Sequence, residues 1–176
     1  MHHPFSPLAV FKFCPACGSQ SIAPDSVKSL KCAACGFRYY INMNAAVVAV
    51  IRNQNKEVLF TIRKHDPSKG MLDLPGGFID MGENAEHAVK REIQEELNLE
   101  ISKLEYVGTF TNKYLFAGIE YQTLDIVYLC TVDSFSDLKV DDDVSGYEFI
   151  DPAKVKQQDI SFDSVRQIAA YVAENL

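Results

Sequence analysis

Between Gly76 and Leu99 the chain sets a glycine turn directly ahead of a helix that crowds carboxylates at one end, and few folds accommodate both. Val89, Ile93 and Leu97 recur every four residues, which predicts a core-facing helix over Ala85–Leu97 with Asn84 as its N-cap. At about 100° per residue, Glu92, Glu95 and Glu96 share one face beside that apolar stripe. They occupy the last two turns, where the helix dipole is negative and like charges three or four apart repel, each effect costing about 0.3 kcal/mol or more. Lys90 and Arg91 are the basic residues close enough in sequence to answer them. Two readings stand: a solvated acidic face, as most glutamate runs are, or a divalent cation supplying the missing charge. Carboxylates bordering a buried stripe break a local rule in the way functional sites do. The cation would be hard and oxygen-seeking, Mg²⁺ or Mn²⁺, bound through a few carboxylates with its other positions left to water and substrate phosphate.

The spacing is specific. From Gly77, five residues lead to Glu83, seven more to Arg91-Glu92, then Ile93, Gln94, Glu95-Glu96, Leu97, Asn98 and Leu99. This resembles the Nudix box, G-x5-E-x7-R-E-U-x-E-E-x-G-U with U aliphatic. Asn98 stands where the family has glycine; that position is a helix C-cap in a left-handed conformation, which Asn adopts more readily than other side chains, so the departure touches geometry and leaves the chemistry intact.

A second constellation lies upstream. Cys14-Pro15-Ala16-Cys17-Gly18 and Cys32-Ala33-Ala34-Cys35-Gly36 are two C-x-x-C-G knuckles with fourteen residues between them. Cys14, Cys17, Cys32 and Cys35 suit one tetrahedral Zn²⁺, with Gly18 and Gly36 supplying the permissive backbone. Two disulfides fit a chain without an export signal poorly, and a redox C-x-x-C normally comes singly beside a βαβ pattern. The basic residues between the knuckles are Lys28 and Lys31, beside Asp25 and without an aromatic, so a structural staple is favoured over a nucleic-acid reader. Cys130, within a strand pattern, reads as a small buried hydrophobe.

With 176 residues, 47% of them hydrophobic, the chain can bury one main core and carry a small module besides. A formal charge of -7 argues against wrapping a nucleic-acid backbone. Leu8-Ala9-Val10-Phe11 is too short for a signal-peptide core and no apolar run reaches membrane-spanning length, so the expectation is a cytoplasmic chain without a membrane partner.

Residues 1–41 are expected to hold the ribbon and 42–176 the main domain. Ala45–Ile51 reads as a buried strand and Val58–Ile62 as the second arm of a hairpin across the turn Asn53–Lys56. Strands are further predicted at Ile101–Thr111, Thr123–Val132 and Tyr147–Ile150, with Asn112–Gln122 as a loop and Phe162–Asn175 as an amphipathic helix. The resemblance supplies the topology: a Nudix α/β/α sandwich on a mixed sheet, preceded by a zinc ribbon.

It also implies an activity, Mg²⁺- or Mn²⁺-dependent hydrolysis of a pyrophosphate bond. The family pattern puts metal ligation on Glu92, Glu95 and Glu96 with a backbone carbonyl at Gly76, and makes Arg91 and Glu83 the pair that orients the helix carboxylates. It adds an acidic residue from a loop before the last strand, which the run Asp141-Asp142-Asp143 matches, Asp143 first. Arg52, Arg63, Lys64, Lys69 and the Gly77 turn are candidate phosphate contacts; Tyr114, Phe116 and Tyr121 are candidate stacking partners or core. His65 and His87 have no partner in sequence that suggests catalysis. A ribbon ahead of a Nudix box is similar to the NADH pyrophosphatases and to a group acting on FAD or ADP-ribose. The first carries S-Q-P-W-P-F-P-x-S after its box; this chain has Phe110-Thr111-Asn112-Lys113-Tyr114-Leu115-Phe116 and no tryptophan. The second shares the cysteine spacing and the aromatic step at Tyr39-Tyr40, and often has Trp where Leu72 stands. The expected substrate is a small-molecule nucleoside diphosphate derivative of the ADP-ribose, FAD or NADH type. Cleavage of damaged nucleoside triphosphates and a non-catalytic nucleotide sensor are the alternatives, and a homodimer is a family-level expectation.

Overall fold

The computed structural model describes residues 6–141 and 143–176, in which the chain forms two compact units. One comprises the chain up to Met43 with Tyr114–Gln122; the other comprises Asn44–Lys113 and Thr123–Leu176.

In the first unit β1 (Ile22–Ser26), β2 (Ser29–Cys32) and β3 (Arg38–Tyr40) form an antiparallel sheet in that order. Its core is small: Leu8, Cys14, Ile22, Leu30 and Cys32, with Phe11, Phe37 and Ile41 against them. Ordering a residue costs about 1–2 kcal/mol of backbone entropy, so a module this thin needs a cross-link.

The second unit is built on β4 (Asn44–Ile51), β5 (Val58–Arg63), β6 (Leu72–Asp73), β7 (Gly76–Phe78), α1 (Ala85–Leu97), β8 (Ile101–Phe116), β9 (Ile119–Val132), β10 (Val144–Ile150) and α2 (Asp163–Asn175), the meeting ends of β8 and β9 belonging to the first unit. Four strands line up as β7-β4-β9-β8 and three as β10-β5-β6. β4 runs parallel to β9 and antiparallel to β7, so the sheet is mixed. Strand alternation then divides the core. Val47, Ala49, Ile51 and Leu59 pack with Val89, Ile93 and Leu97 of α1, while Val48, Val50, Val58 and Phe60 pack with Val165, Ile168, Ala169 and Val172 of α2. The sheets are apolar on both faces because each face carries a helix, which gives the expected α/β/α sandwich. Among the described residues no helix is long and apolar enough to cross a membrane.

Two expectations fail. β4 and β5 are not hairpin arms: both edges of β4 are taken, by β7 and β9, and β5 pairs with β10 and β6, leaving the bridge Arg52–Val58 between them. The predicted loop Asn112–Gln122 is strand instead. β8 and β9 run on until the two-residue turn Ala117-Gly118, where both φ angles are positive, 50° and 77°. Such a turn matches the right-handed twist of its flanking strands, and Leu115, Phe116 and Ile119 are strand formers. β10 also starts earlier than expected, at Val144.

Candidate active site and metal centre

α1 begins and ends where its sequence requires. Asn84 Oδ1 accepts the His87 N–H at 2.8 Å, and Asn98 takes the left-handed conformation at φ 53°, its N–H donating to the Gln94 carbonyl. The last carbonyls of the helix are then met by the segment that leads into β10. The N–H groups of Lys139 and Asp141 donate to the carbonyls of Leu97 and Glu96, both at 3.0 Å, and Asn98 Nδ2 donates to the Asp137 carbonyl. Those bonds bring the acidic run to the carboxylate end of α1. Asp142 lies outside the described residues; Asp143 is exposed, 3.7 Å from His65 Nε2, with its carbonyl accepting the Lys64 N–H.

The glycine turn meets the other side of the same helix. Gly76 has φ 143°, and a Cβ there would fall 2.1 Å from the Val47 carbonyl oxygen. A Cβ on Gly77 would fall 2.6 Å from the Glu92 carboxylate. Only glycine lets β7 pair with β4 while the helix face closes on it. The Gly76 N–H donates to Glu96 Oε2 at 3.0 Å.

Arg91 organises the remaining carboxylates. Its Nε and Nη2 donate to the two oxygens of Glu83, at 3.1 and 2.9 Å, a bidentate pair. Nη1 donates to Glu92 at 2.8 Å and to Glu95 at 3.1 Å, and Nη2 also reaches the Phe78 carbonyl. Glu83 in turn accepts the Asp80 N–H. Arg91 holds Glu83 below the usual carboxylate range, and Glu83 foremost holds the guanidinium charged. Glu96 goes the opposite way. It is 8% exposed, and burial first, with the charges of Glu92, Asp73 and Asp143 adding to it, pushes its carboxyl up to about 8 against the pull of the Gly76 N–H. The three helix carboxylates thus share a face with Glu92 and Glu95 drawn to Arg91 and Glu96 turned to the glycine turn.

Other residues singled out in the sequence are distributed around this cluster. Arg63 is engaged: Nε donates to the Pro67 carbonyl, Nη1 to Asp73 at 2.8 Å, and its guanidinium lies 4.8 Å over the Phe162 ring. Lys69 is exposed in the loop before β6. Arg52 stands at the end of β4, donating to the Leu176 carbonyl. Phe116 is exposed and Tyr121 half-buried; the side chain of Tyr114 lies outside the described residues. His87 is exposed on α1. Asp73 was not anticipated: its charge bears on Glu96, and its own carboxyl is raised by burial despite Arg63. A charge inside the apolar triplet Leu72-Asp73-Leu74 is the signal that could have found it.

In the first unit the four cysteines converge. Cys14, Cys17, Cys32 and Cys35 have sulfurs within 4.8 Å of one another, with Cys14–Cys35 and Cys17–Cys32 both at 3.8 Å. No disulfide joins them. A tetrahedral ion with metal–sulfur bonds of about 2.3 Å requires sulfur edges of about 3.8 Å. The two knuckles repeat one pattern: Gly18 and Gly36, at φ 75° and 79°, each donate an N–H to the carbonyl of the first cysteine. Cys130 is buried elsewhere, and burial pushes its thiol up to about 12.

Residues 42–171 match the model of the NUDIX domain. The chain belongs to this family. It is similar to an ADP-ribose pyrophosphatase of Methanocaldococcus jannaschii, 32% identical over 136 residues that make up 77% of each chain. It is also similar to the NAD-capped RNA hydrolase NudC of Vibrio atlanticus, 30% identical over 98 residues, 56% of this chain. The matched part is 36% of that relative, so this Nudix chain spans about a third of its length. A NUDIX hydrolase from Nitrosomonas europaea has the same fold, with a TM-score of 0.67 over 94% of this chain and 92% of its own at 22% identity.

Proposed function

We propose that this Nudix chain hydrolyses the pyrophosphate bond of a nucleoside diphosphate joined to a second group, of the ADP-ribose, FAD or NADH type, using a divalent cation, Mg²⁺ or Mn²⁺, held by Glu92, Glu95 and Glu96. One observation carries the reading: a Cβ on Gly77 would strike the Glu92 carboxylate, so the turn and the acidic helix face approach as closely as backbone allows. The donor set is all hard oxygen, three carboxylates with the Gly76 carbonyl in the adjoining turn, and suits such a cation. When bound, the cation supplies charge opposite the phosphate oxygens and a water of lowered pKa.

The protein's own groups do the rest. Arg91, clamped on Glu83, orients Glu92 and Glu95. The Gly76 N–H fixes Glu96. Asp143, whose charge already bears on Glu96, extends the acidic rim. Lys69 is the proposed phosphate contact; Arg52 and Arg63, candidates of the same kind, would first have to leave Leu176 and Asp73, and the Gly77 backbone is paired with Val47 of β4. The match to an ADP-ribose pyrophosphatase over 77% of both chains supports a dinucleotide-type substrate, and the net charge of -7 weighs against a long RNA one. In the ribbon we assign structural Zn²⁺ to Cys14, Cys17, Cys32 and Cys35.

The test is turnover of ADP-ribose, FAD, NADH and a set of nucleoside triphosphates with Mg²⁺ or Mn²⁺. Cleavage of an ADP-linked compound to AMP is expected. Turnover confined to triphosphates would replace this reading with that of a pool-cleaning enzyme, and tight binding without turnover with that of a sensor.

A further inference from the structure

The face of the sheet that carries α2 is apolar along most of its length and then abruptly changes character. Alternation puts Val48, Val50, Val127 and Phe110 in the cluster with α2, Phe110 meeting Tyr171 edge-on at 6.1 Å. The next positions on the same face of the same strands are Ala46 and Asn44 on β4, Asp125 and Thr123 on β9, and Asn112 on β8. Three of these are polar and more than nine-tenths buried: Asn112 is 6% exposed, Thr123 4% and Asp125 6%. The Thr123 hydroxyl donates to Asp125 Oδ1 at 2.6 Å, while Asn112 Oδ1 finds no donor among the described residues. The Asp125 carboxylate has one donor in Thr123, whereas the Asn112 carbonyl, sunk into the sheet face without one, costs about 1–3 kcal/mol unless a donor comes to it.

Register connects this cluster to the proposed cleavage site. Asp125 stands beside Ala46, and Ala46 beside Phe78 of β7, so one rung of the sheet reads Phe78, Ala46, Asp125 on a single face. Phe78 is 47% exposed, and Ala46 is the smallest side chain of the rung. Strands lie about 4.8 Å apart and rise about 3.3 Å per residue, which sets Asp125 about 12 Å from Gly76, within the span of one nucleoside diphosphate. An aromatic face at one end, a small floor, and buried acceptors at the other describe a seat for a flat ring that donates hydrogen bonds.

We propose that Asn112, Thr123 and Asp125 form the nucleoside-recognition subsite of this enzyme, with the Asp125 carboxylate and Asn112 Oδ1 accepting from the donor edge of the substrate, an exocyclic amine of the adenine type, and Phe78 lying against the ring. This rests on the hydrolase reading above and names the half of the substrate that the carboxylate helix does not contact. Acceptors select donors: a hypoxanthine ring, with an oxygen where adenine has its amine, would face two acceptors and bind poorly.

The experiment uses ADP-ribose, its hypoxanthine counterpart and its 2′-deoxyadenosine counterpart as probes of the full chain, with kinetics and direct calorimetric binding. For Asp125→Ala and Asn112→Ala, KM for ADP-ribose should rise on the order of 10- to 100-fold with kcat within a few-fold of the parent, and the preference for adenine over hypoxanthine should vanish. Asp125→Asn, nearly the same shape, separates recognition from folding: it should keep the melting temperature and still lose the preference. A preference lost instead against the 2′-deoxy probe would move the contact to the ribose hydroxyls and overturn the amine assignment. Unchanged KM and binding in folded variants would overturn the subsite. If the parent turns over none of the probes, the hydrolase reading fails by itself, and the subsite is then judged by calorimetry with ADP-ribose, where no binding to the parent or equal binding to Asp125→Ala rejects it.

Discussion

The chain holds two groups of metal-seeking side chains that differ in how finished they are. The four cysteine sulfurs of the ribbon already lie within 4.8 Å of one another, whereas Glu92, Glu95 and Glu96 share a helix face and lean toward different partners. The difference follows from what each group has beneath it. Among the described residues the ribbon has a core of five buried side chains, too few to order it alone, so the cysteines of the zinc site we assign would be placed with the fold. The carboxylates ride on a helix whose Val89, Ile93 and Leu97 are fully buried in a large core, so the fold does not depend on the cation we assign to them.

The largest effect should come from the ribbon. Structural zinc in small modules contributes about 10–16 kcal/mol of apparent binding free energy at neutral pH. Cys32→Ser, or a strong chelator, should release about one Zn per chain and open β1–β3 to proteolysis. Zinc content and limited digestion measure this, and a ribbon that stays protected without metal would make it a self-sufficient fold.

The proposed catalytic group should behave in reverse. Glu96→Gln should lower turnover on the order of 10³-fold with the melting temperature retained, because the amide can still accept from Gly76 while the cation loses a charged ligand. Arg91→Ala should be gentler on rate, about 10- to 100-fold, since Arg91 orients ligands without being one. Full activity in the Glu96 variant would remove the metal assignment.

A pH experiment sharpens the contrast further. Glu96 has its carboxyl raised to about 8 by burial, so its charged form is disfavoured in the metal-free fold. An acid raised in the folded state makes that state take up a proton more readily than the unfolded chain. Stability of the metal-free protein from this group should therefore fall as pH rises toward about 8 and level off above it, and recover as pH drops toward its unfolded value. Mg²⁺ favours the charged form, so its affinity should climb over the same interval. Thermal melts from pH 5 to 9 with and without Mg²⁺ read both; curves that coincide would mean the cation does not engage Glu96.

Much of this arrangement was legible in the residues themselves, and the failures have physical causes. α1 was readable to its ends because a four-residue apolar repeat, a capping Asn84 and a left-handed Asn98 all act within the helix. The cysteine knuckles were readable because each is local. Pairing between strands distant in sequence was not: nothing in Val58–Ile62 says that β4 has both edges occupied, and nothing in Asn112–Gln122 says that polar Asn112 sits buried inside a strand. The ion pair of Arg63 with Asp73 is equally non-local, which is why Arg63 read as a phosphate contact. Asp125 was visible as a charge within an alternating strand, yet its burial depends on neighbours that only the fold supplies.

The smallest effect tests the one departure from the box. Asn98 holds φ 53°, which costs an ordinary L-residue about 1–2 kcal/mol, and Asn98 adds two side-chain bonds, accepting from Gln94 Nε2 and donating to the Asp137 carbonyl, both at 2.9 Å. Restoring glycine by Asn98→Gly relieves the backbone but gives up both bonds, so stability should change by less than about 0.5 kcal/mol. Asn98→Ala loses the bonds and keeps the strain, and should cost about 1 kcal/mol or more. The bond to Asp137 fastens the segment that also supplies the Asp141 N–H to the Glu96 carbonyl. Both variants should therefore loosen that segment, raising amide exchange at Lys139 and Asp141 even where the melting temperature is unmoved. If exchange there is unaltered in Asn98→Gly, the acidic loop is fixed by its own backbone bonds, and Asn98 serves the helix end alone.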